Sequence, residues 1–284
     1  MSRIAHLTDL HVLEDHHRLR DPLARFRLAF LSARRPLDAA GRRTRVRRAL
    51  DRAARAAPDH LVITGDLTED GTAEQFEVLA ELLLASRFEP SQITLLPGNH
   101  DTYSDPDAWE KALSGPLRPF AATSRAGAVS VLADAVIVQL STPIHQHYAR
   151  SAGLVRQEAV RDIDRIAGDP SFAGRTLIVA QHHPPLRHPL RIVHFWDGLL
   201  RCDLMTTLLL RHEHAHVLHG HIHESRSRRL AGRSASQVFS APAVVDHPDP
   251  LRLYEAVDGR LLPLAAPVPH RAALPAAGAP VPAY

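Results

Sequence analysis

Five short segments of the chain place metal-binding side chains directly after runs of β-forming residues. Imidazole nitrogens together with carboxylate and amide oxygens suit Mn, Fe, Zn or Mg ions, and one carboxylate can bridge two ions. Cys202 is the only cysteine, so thiolate clusters and intrachain disulfides are excluded. The donors of a candidate two-metal site lie in Asp9-Leu10-His11, Gly65-Asp66, Gly98-Asn99-His100-Asp101, His182-His183-Pro184 and Gly220-His221-Ile222-His223.

The spacing within the first and last of these segments indicates how the donors are presented. Alternate side chains of an extended backbone point the same way, so Asp9 and His11 would share one side while Leu10 faces the core. The last segment repeats this pattern and predicts a core position for Ile222. A sharp turn or a close backbone approach is expected where a glycine directly precedes a donor, as at Gly65, Gly98 and Gly220.

Strands and helices alternate around these segments, which predicts an α/β fold. The carboxyl ends of strands in such sheets meet at one edge, so the loops that follow them bring side chains together. The five donor segments are expected at that edge. Strands are predicted at 4–8, 60–64, 93–96, 135–140, 177–180 and 215–218, and amphipathic helices at 45–57, 72–86, 157–167 and 199–212.

The chain changes character after His219. Two short strands are predicted at 236–240 and 251–256, joined by loops rich in Pro and Asp. From Pro263 onwards the sequence is rich in Ala and Pro and has few large apolar residues, which is typical of a mobile tail. We therefore predict one domain over residues 1–262 and a flexible tail over residues 263–284.

In their order along the chain, the five segments resemble the signature blocks of the calcineurin-like metallophosphoesterases. The resemblance covers residues 6–223 and is nearest the cyclic-nucleotide and glycerophosphodiester phosphodiesterase branch. It implies a four-layer αββα sandwich, in which two mixed sheets are flanked by helices and a binuclear metal site lies at the sheet edge. It also implies two metal ions, and Mn, Fe, Zn and Co are all compatible with the donors.

The same resemblance assigns a role to each donor. Asp9, His11 and His223 would hold one ion. Asn99, His182 and His221 would hold the other, and Asp66 would bridge the two. His100 corresponds to the family's catalytic histidine, which stabilises the transition state or protonates the leaving alkoxide, and Asp101 would orient or charge it. His183 would contact substrate or orient His182.

Each donor taken alone has a structural alternative. Asp9 or Asp66 is readily explained as a helix cap or turn residue, and His182 as a packed imidazole. Five repetitions at strand ends, and the free-energy penalty of clustering unpaired carboxylates, favour a metal site instead. For the histidines outside the five segments, a structural role is favoured over metal binding. Surface or packing roles are expected at His16, His17, His145, His147, His188, His212, His214 and His216.

Two further segments are expected to shape the site. Residues 12–43 mix apolar side chains with arginines, a composition that can lie on an anionic membrane or cover a phosphate-binding cleft, or form a solvated cap packed on the body. Residues 184–198 follow the His182 segment and are predicted to overhang the metals. Arginines there can bind phosphate oxygens and aromatic rings can stack on a base, so substrate contacts are predicted for Arg187, Arg191, His194 and Trp196.

Composition narrows the class of protein. With 34 basic and 31 acidic residues the formal net charge is +3, which gives no ground for expecting nucleic-acid binding. The sequence has no apolar run of membrane-spanning length and no secretory leader. These features predict a cytoplasmic protein that at most contacts an anionic membrane through residues 12–43.

The leading functional hypothesis is hydrolysis of a small phosphodiester by attack of a metal-bridging hydroxide. A phosphomonoesterase or a nucleotide-lipid pyrophosphatase is the alternative enzyme. A non-catalytic scaffold is the third hypothesis, and it predicts erosion of the ligands, none of which is missing. The sequence carries no signal of oligomeric state.

Overall fold

A computed structural model describes residues 1–32, 35–230 and 235–265 of the chain. Within these ranges the strands are β1 (Ser2–Leu7), β2 (His60–Thr64), β3 (Ile93–Leu96), β4 (Val129–Val131), β5 (Ala135–Gln139), β6 (Gly153–Leu154), β7 (Thr176–Ala180), β8 (Leu199–Leu200), β9 (Ala215–His219), β10 (Arg226–Arg229), β11 (Gln237–Ser240), β12 (Arg252–Val257) and β13 (Arg260–Leu264). The helices are α1 (Pro22–Leu31), α2 (Ala39–Arg55), α3 (Ala73–Leu84), α4 (Ala108–Ser114), α5 (Ala121–Ser124), α6 (Gln157–Ala167), α7 (Arg191–Asp197) and α8 (Cys202–Arg211).

The strands form two large mixed sheets. The first has the order β13-β12-β1-β2-β3, in which β1, β2 and β3 are parallel and the other two are antiparallel to their neighbours. The second has the order β10-β11-β9-β7-β5-β4, with four parallel strands inside and an antiparallel strand at each edge. Strands β6 and β8 form a separate parallel pair. The parallel strands of both sheets therefore supply several carboxyl ends for one site.

Alternate residues of each strand face opposite sides of its sheet, so each sheet contributes to two cores. One core lies between the sheets and contains Ile4, Ile178, Phe239 and Tyr254. The outer face of the first sheet packs on α2, α3 and α4, and the outer face of the second packs on α6 and α8. This order of helix, sheet, sheet and helix confirms the predicted four-layer sandwich.

Local backbone chemistry moves some element boundaries away from those predicted. Helix α2 begins six residues earlier than predicted, because the side chain of Asp38 accepts a hydrogen bond from the Gly41 amide at 3.0 Å and caps the helix there. The helix predicted at 199–212 is divided in two. Its first two residues pair with β6 as strand β8, and Arg201, with φ of 59°, turns the chain before α8 begins.

The last described strand extends past the predicted domain boundary. Strands β12 and β13 form a hairpin through Asp258-Gly259, where both residues have positive φ, as a two-residue turn between antiparallel strands requires. Pro263 pairs opposite Tyr254, so β13 continues two residues beyond residue 262. The rest of the predicted tail, residues 266–284, lies outside the described residues.

Across the described ranges, every helix is too short or too polar to cross a bilayer.

The contact between the sheets yields a stability prediction. Phe239 is fully buried there, with its ring centroid 5.0 Å from that of Tyr254. Phe239→Ala removes that packing and leaves a cavity, so we expect the free energy of unfolding to fall by about 3–5 kcal/mol. Urea unfolding monitored by circular dichroism measures this. The matched control is Leu210→Ala on the exposed face of α8, and an equal loss in both variants would contradict the assigned core.

Candidate metal centre

The loops after five parallel strands meet at one edge of the two facing sheets. Asp9 follows β1, Asp66 follows β2, Asn99 follows β3, His182 follows β7 and His221 follows β9. Backbone hydrogen bonds hold these loops together: the Asp9 amide donates to Gly65 at 3.0 Å, and the Gly220 amide donates to His182 at 3.0 Å. The sequence predicted this convergence, because each donor segment follows the carboxyl end of a predicted strand.

The donor atoms of these loops form overlapping clusters. Three of the clusters, each with all its donor atoms within 4.8 Å of one another, are Asp9 with His11 and His223; Asp9 with Asp66 and His182; and His11 with Asp66 and His100. The Oδ1 atom of Asn99 is 3.1 Å from Nε2 of His182, and the rings of His182 and His221 have centroids 5.1 Å apart. All seven predicted ligands are therefore neighbours, while their binding of metal stays a prediction.

The backbone presents these side chains in a different way from the one predicted. Strand β1 ends at Leu7, before the first donor pair, and the donors do not lie on an extended chain. Leu10 is buried as predicted, but Ile222 is only half-buried and lines a cavity, so its predicted core position is wrong. Left-handed φ angles of 46–71° turn the donors inward instead, at Asp9, His11, Asp66, His221 and His223.

Such a conformation is unfavourable for residues with a Cβ atom and persists only where the surrounding structure imposes it. Of the eight described non-glycine residues with positive φ, five are predicted ligands. This concentration of strained backbone at one place is typical of a functional site.

Gly65 and Gly98 precede donors and leave no room for a Cβ atom, as the sequence suggested. Gly65 has φ of +91°, and a Cβ there would lie 2.5 Å from Nδ1 of His182. A Cβ on Gly98 would overlap the carboxylate of Asp66. Both positions therefore require the absence of a side chain so that the donors can approach the backbone.

The carboxylates of Asp9 and Asp66 each have one oxygen held by protein donors and one directed into the cluster. Oδ2 of Asp9 accepts from Thr8 and from the His221 amide, whereas its buried Oδ1 has no hydrogen-bond partner. Oδ1 of Asp66 accepts from the His100 amide at 2.9 Å. Its Oδ2 faces Nε2 of His182 at 3.4 Å and Nε2 of His11 at 3.8 Å. Buried anionic oxygens that converge on histidine nitrogens fit metal cations.

Three of the four histidines predicted as ligands donate a hydrogen bond from the ring nitrogen that points away from the cluster. Nδ1 of His182 donates to the Thr64 carbonyl at 2.7 Å, and Nδ1 of His223 donates to Asp246 at 2.7 Å. Nε2 of His221 donates to Asp197 at 3.0 Å. The exception is His11, whose Nδ1 lies 3.4 Å from the carboxylate of Glu69 without forming a hydrogen bond. Such partners fix the ring orientation and tautomer of metal-binding histidines.

Electrostatics within the cluster shift the pKa values of its members. Burial lowers the pKa of His182, but Asp66 overcomes this effect and raises that pKa to about 9. Burial likewise opposes a raised pKa at His223, where Asp9 and Asp246 bring it to about 10. Burial and the guanidinium of Arg35 together lower the pKa of His11 to about 3. Without metal, His182 and His223 therefore carry the positive charge of the cluster at neutral pH.

His100 is placed for a role at the reacting group. Its Nδ1 donates to the Glu69 carbonyl at 2.6 Å, and its Nε2 lies 4.0 Å from Oδ2 of Asp66 at the edge of the cluster. The ring is thus fixed through one nitrogen while the other faces the candidate metal centre.

Asp101 does not orient His100, contrary to the prediction. It is fully buried, and its carboxylate accepts hydrogen bonds from the amides of Leu67, Thr68 and Gly98 and from the Thr68 hydroxyl. Burial and the charge of Asp66 raise the pKa of Asp101 to about 6. Asp101 therefore joins the loops after β2 and β3, and the carbonyl of Glu69 orients His100 in its place.

His183 lies against His182, with ring centroids 5.0 Å apart, which is compatible with the predicted role of orienting His182. His183 is fully buried, its Nδ1 lies 2.8 Å from Thr142 Oγ1, and its Nε2 donates to the Ser151 carbonyl at 2.9 Å. Both ring nitrogens of His183 therefore have protein partners, and its predicted contact with substrate stays a prediction. His183 fixes the chain segment that runs beside α7.

The segment 184–198 lies beside the centre as predicted, but only part of it lines a cavity. A cavity of about 370 Å³ adjoins His221 and is lined by Arg187 and Asp197 from this segment and by Arg226 and Arg228 of β10. Arg191 and Trp196 are exposed, and His194 packs against Gly198. Sequence patterns gave no signal for Arg226 and Arg228, because β10 was not predicted.

Four arginines of residues 12–43 bind two buried carboxylates beside the candidate centre. Arg20 and Arg27 bind the buried carboxylate of Asp70, and Arg42 binds the buried carboxylate of Glu69. Arg35 also binds Glu69, at 2.8 Å, and its Nη1 lies 3.4 Å from Nε2 of His11. This segment is therefore attached to the candidate centre by ion pairs that composition alone did not reveal.

Comparison with known proteins identifies relatives of this arrangement. The sequence profile of calcineurin-like phosphoesterases matches residues 2–225. A dimetal phosphatase from Danio rerio has a similar structure, with a TM-score of 0.64 and 12% identity over 93% of this chain and 98% of that one. The protein TT1561 of Thermus thermophilus gives a TM-score of 0.55 and 10% identity over 93% and 99%. At such identities the likeness shows the fold alone. No protein of curated function matches significantly.

The partners of the histidines yield a prediction of metal affinity. Asp246→Ala removes the acceptor of Nδ1 of His223, so that ring loses its fixed orientation and we expect Mn²⁺ to bind about 10–100-fold more weakly. Asp246→Asn keeps an acceptor oxygen and should restore part of the affinity. Calorimetric titration of metal-stripped protein measures both, with exposed Asp162→Ala on α6 as the control. Unchanged affinity in Asp246→Ala would show that this contact does not position a ligand.

The raised histidine pKa values yield a prediction of pH dependence. A metal ion binds only the neutral imidazole, so it must displace the protons that His182 and His223 carry below pH values of about 9 and 10. Apparent metal affinity should therefore rise with pH from neutral towards about 9. Titrations in two buffers of different ionisation enthalpy would reveal the released protons. Binding without proton release would exclude these histidines as ligands.

Proposed function

The chain belongs to the calcineurin-like phosphoesterase family, and from this we propose that it hydrolyses phosphodiesters at a pair of metal ions. Its membership makes it a metal-dependent phosphoester hydrolase. The observation that carries the proposal is the position of Asp66, whose Oδ2 lies between Nε2 of His11 and Nε2 of His182, at 3.8 and 3.4 Å. A carboxylate at this position is suited to bridging two ions.

The donors divide naturally on either side of Asp66. We assign Asp9, His11 and His223 to one ion, since their donor atoms form one cluster. We assign Asn99, His182 and His221 to the other, since Asn99 and His221 both adjoin the His182 ring. The related Danio rerio structure is named as a dimetal phosphatase, which supports two ions rather than one. The donor set accepts Mn, Fe, Zn or Co.

The chain's own residues would contribute binding and proton transfer. When bound, the two ions would hold phosphate oxygens, lower the pKa of a water molecule and offset the charge of an in-line displacement. Nε2 of His100 faces this centre while Glu69 holds the other nitrogen, so His100 would donate a hydrogen bond to the phosphoryl group or a proton to the leaving alkoxide. Asp101 has no part in this step.

A diester is favoured over a monoester by the space beside the centre. A diester carries a second ester substituent, and the cavity of about 370 Å³ next to His221 offers room for it. Arg187, Arg226 and Arg228 line that cavity and would favour a substituent with an anionic group. The same arginines also suit a pyrophosphate, so the nucleotide-lipid pyrophosphatase is kept as the second candidate, ahead of a simple monoesterase.

Metal removal and two substitutions test the proposed reaction. Metal-stripped protein should be inactive towards bis(p-nitrophenyl) phosphate and regain activity with Mn²⁺, and it should hydrolyse p-nitrophenyl phosphate more slowly. Asp66→Ala should lose activity together with bound metal, because the bridging oxygen is gone. His100→Ala should keep its metal, as measured by mass spectrometry, and lose about 10²–10⁴-fold in kcat.

The control is His16→Ala, since His16 is exposed and belongs to none of the donor clusters. Faster turnover of the monoester, or of a pyrophosphate, would shift the assignment to the corresponding alternative. Metal binding without turnover of any of these substrates would support the scaffold hypothesis.

A further inference from the structure

Helix α1 directs an apolar stripe towards solvent. Leu23, Phe26 and Phe30 recur at helical spacing on one face and are 76%, 62% and 48% exposed, and Leu19 extends the stripe just before the helix. The opposite face holds Leu28, which is buried against Leu13 and Ala39. The helix is thus anchored by its inner face while large apolar side chains cover its outer face, the reverse of the usual surface helix.

Helix α7 does the same on the segment that overhangs the candidate centre. Ile192, Phe195 and Trp196 lie one helical turn apart or closer, which places them on one face, and Leu190 directly precedes the helix. All four are exposed, Ile192 by 66% and Trp196 by 47%. Exposed tryptophan and phenylalanine on one helical face are typical of helices that lie in the interface of a membrane.

Residues 148–150 join the two helices into one surface. We call this surface, formed by residues 19–30 and 190–196, the apolar rim. The ring of Phe30 contacts that of Tyr148 edge-to-face, with centroids 5.2 Å apart. The guanidinium of Arg150 lies 4.4 Å from the centre of the Phe195 ring. Of the twelve large apolar side chains that are exposed in the described ranges, eight lie on the rim in residues 19–30 and 190–196. Such concentration marks a binding surface rather than scattered exposure.

The rim is also basic. Four arginines are exposed and make no ion pair with a described residue: Arg18 before α1, Arg25 within α1, Arg187 before α7 and Arg191 at the first position of α7. Two acidic side chains of the same segments have other partners, since Asp21 caps α1 and Asp197 binds His221. The rim therefore presents unpaired positive charge around its apolar side chains.

We propose that the apolar rim docks on a bilayer that contains anionic phospholipid. Apolar side chains enter the boundary between headgroups and acyl chains while the arginines attract the anionic headgroups. A second copy of the chain is the less favourable occupant, because two identical basic surfaces repel each other. The charge of the rim thus selects a lipid surface.

Docking brings the candidate centre to the membrane. Helix α7 ends at Asp197, which binds Nε2 of His221 at 3.0 Å, so the centre lies directly behind the rim. Phosphoesters that carry an acyl chain are the substrate class that such docking serves. That last step rests on the proposed function, whereas docking itself needs neither bound metal nor turnover.

Flotation with lipid vesicles tests the proposal on the full chain, without any substrate. Vesicles of phosphatidylcholine with phosphatidylglycerol should carry the protein, and vesicles of phosphatidylcholine alone should carry much less. The paired changes Leu23→Ser with Phe26→Ser, and Ile192→Ser with Phe195→Ser, should each reduce the partition coefficient by about tenfold or more, because each removes two inserted side chains. Arg18→Gln with Arg25→Gln should weaken binding most at low salt.

Matched controls separate docking from non-specific hydrophobic adsorption. Leu84→Ser with Leu210→Ser removes equally exposed apolar side chains outside the rim and should leave binding unchanged. Tryptophan fluorescence gives a second readout, since Trp109 is buried and Trp196 is exposed, so a blue shift on vesicle binding reports Trp196.

Three outcomes would overturn the proposal. They are no binding to anionic vesicles by folded protein, equal binding to both vesicle types, and an equal loss in the control pair. A dimer in light scattering that dissociates with Leu23→Ser and Phe26→Ser would assign the rim to a second copy of the chain instead. Vesicle binding by a protein that hydrolyses no phosphoester would support docking and reject the proposed function.

Discussion

The arrangement of the sheet edge depends on two carboxylates, those of Asp9 and Asp66, that are held away from water. Each is buried, and each has one oxygen fixed by protein donors while the other points into a cluster of imidazoles. Isolated buried carboxylates are strongly unfavourable. Their position is sustained by positive charge, which His182 and His223 supply as protonated rings and which metal ions would supply in the loaded protein. The carboxylates of Asp9 and Asp66 therefore help to hold the sheet edge together and also prepare it to bind cations.

The buried central strands were predicted closely from their apolar runs, whereas the helix predicted at 199–212 is divided and the donor pairs do not lie on an extended backbone. The buried strands β2 and β3 have the predicted bounds, because five or four consecutive apolar-rich residues in a two-sheet core leave little choice of register. The donor pairs fail as strands, since Asp9 and His11 have left-handed φ. Deviation from local preference at a functional site is expected where tertiary contacts impose the conformation. Strand β10, with four exposed polar residues, offers no apolar pattern to predict.

Residues that act through another residue were the hardest to find from sequence. Asp246 and Asp197 lie far along the chain from most of the donors, and only the folded structure places them on His223 and His221. Asp101 was misassigned for the converse reason. It stands next to His100 in sequence, but its side chain turns back to the amides of the β2 loop, and chain adjacency is a poor guide to contact outside regular elements. Candidate metal ligands can be recognised in a sequence by residue type and spacing. The residues that hold those ligands in place depend on tertiary packing.

Helical periodicity explains why the arginine-rich composition of residues 12–43 was ambiguous. Arg25 and Arg27 are two positions apart on α1, so they project from nearly opposite sides of the helix. Arg27 binds the buried carboxylate of Asp70, whereas Arg25 faces solvent beside Phe26. The inward arginines neutralise Glu69 and Asp70, and the outward ones remain available to an anionic surface. The inner face of the segment therefore packs beside the candidate centre through its ion pairs, and its outer face carries the exposed charge and apolar area of the rim.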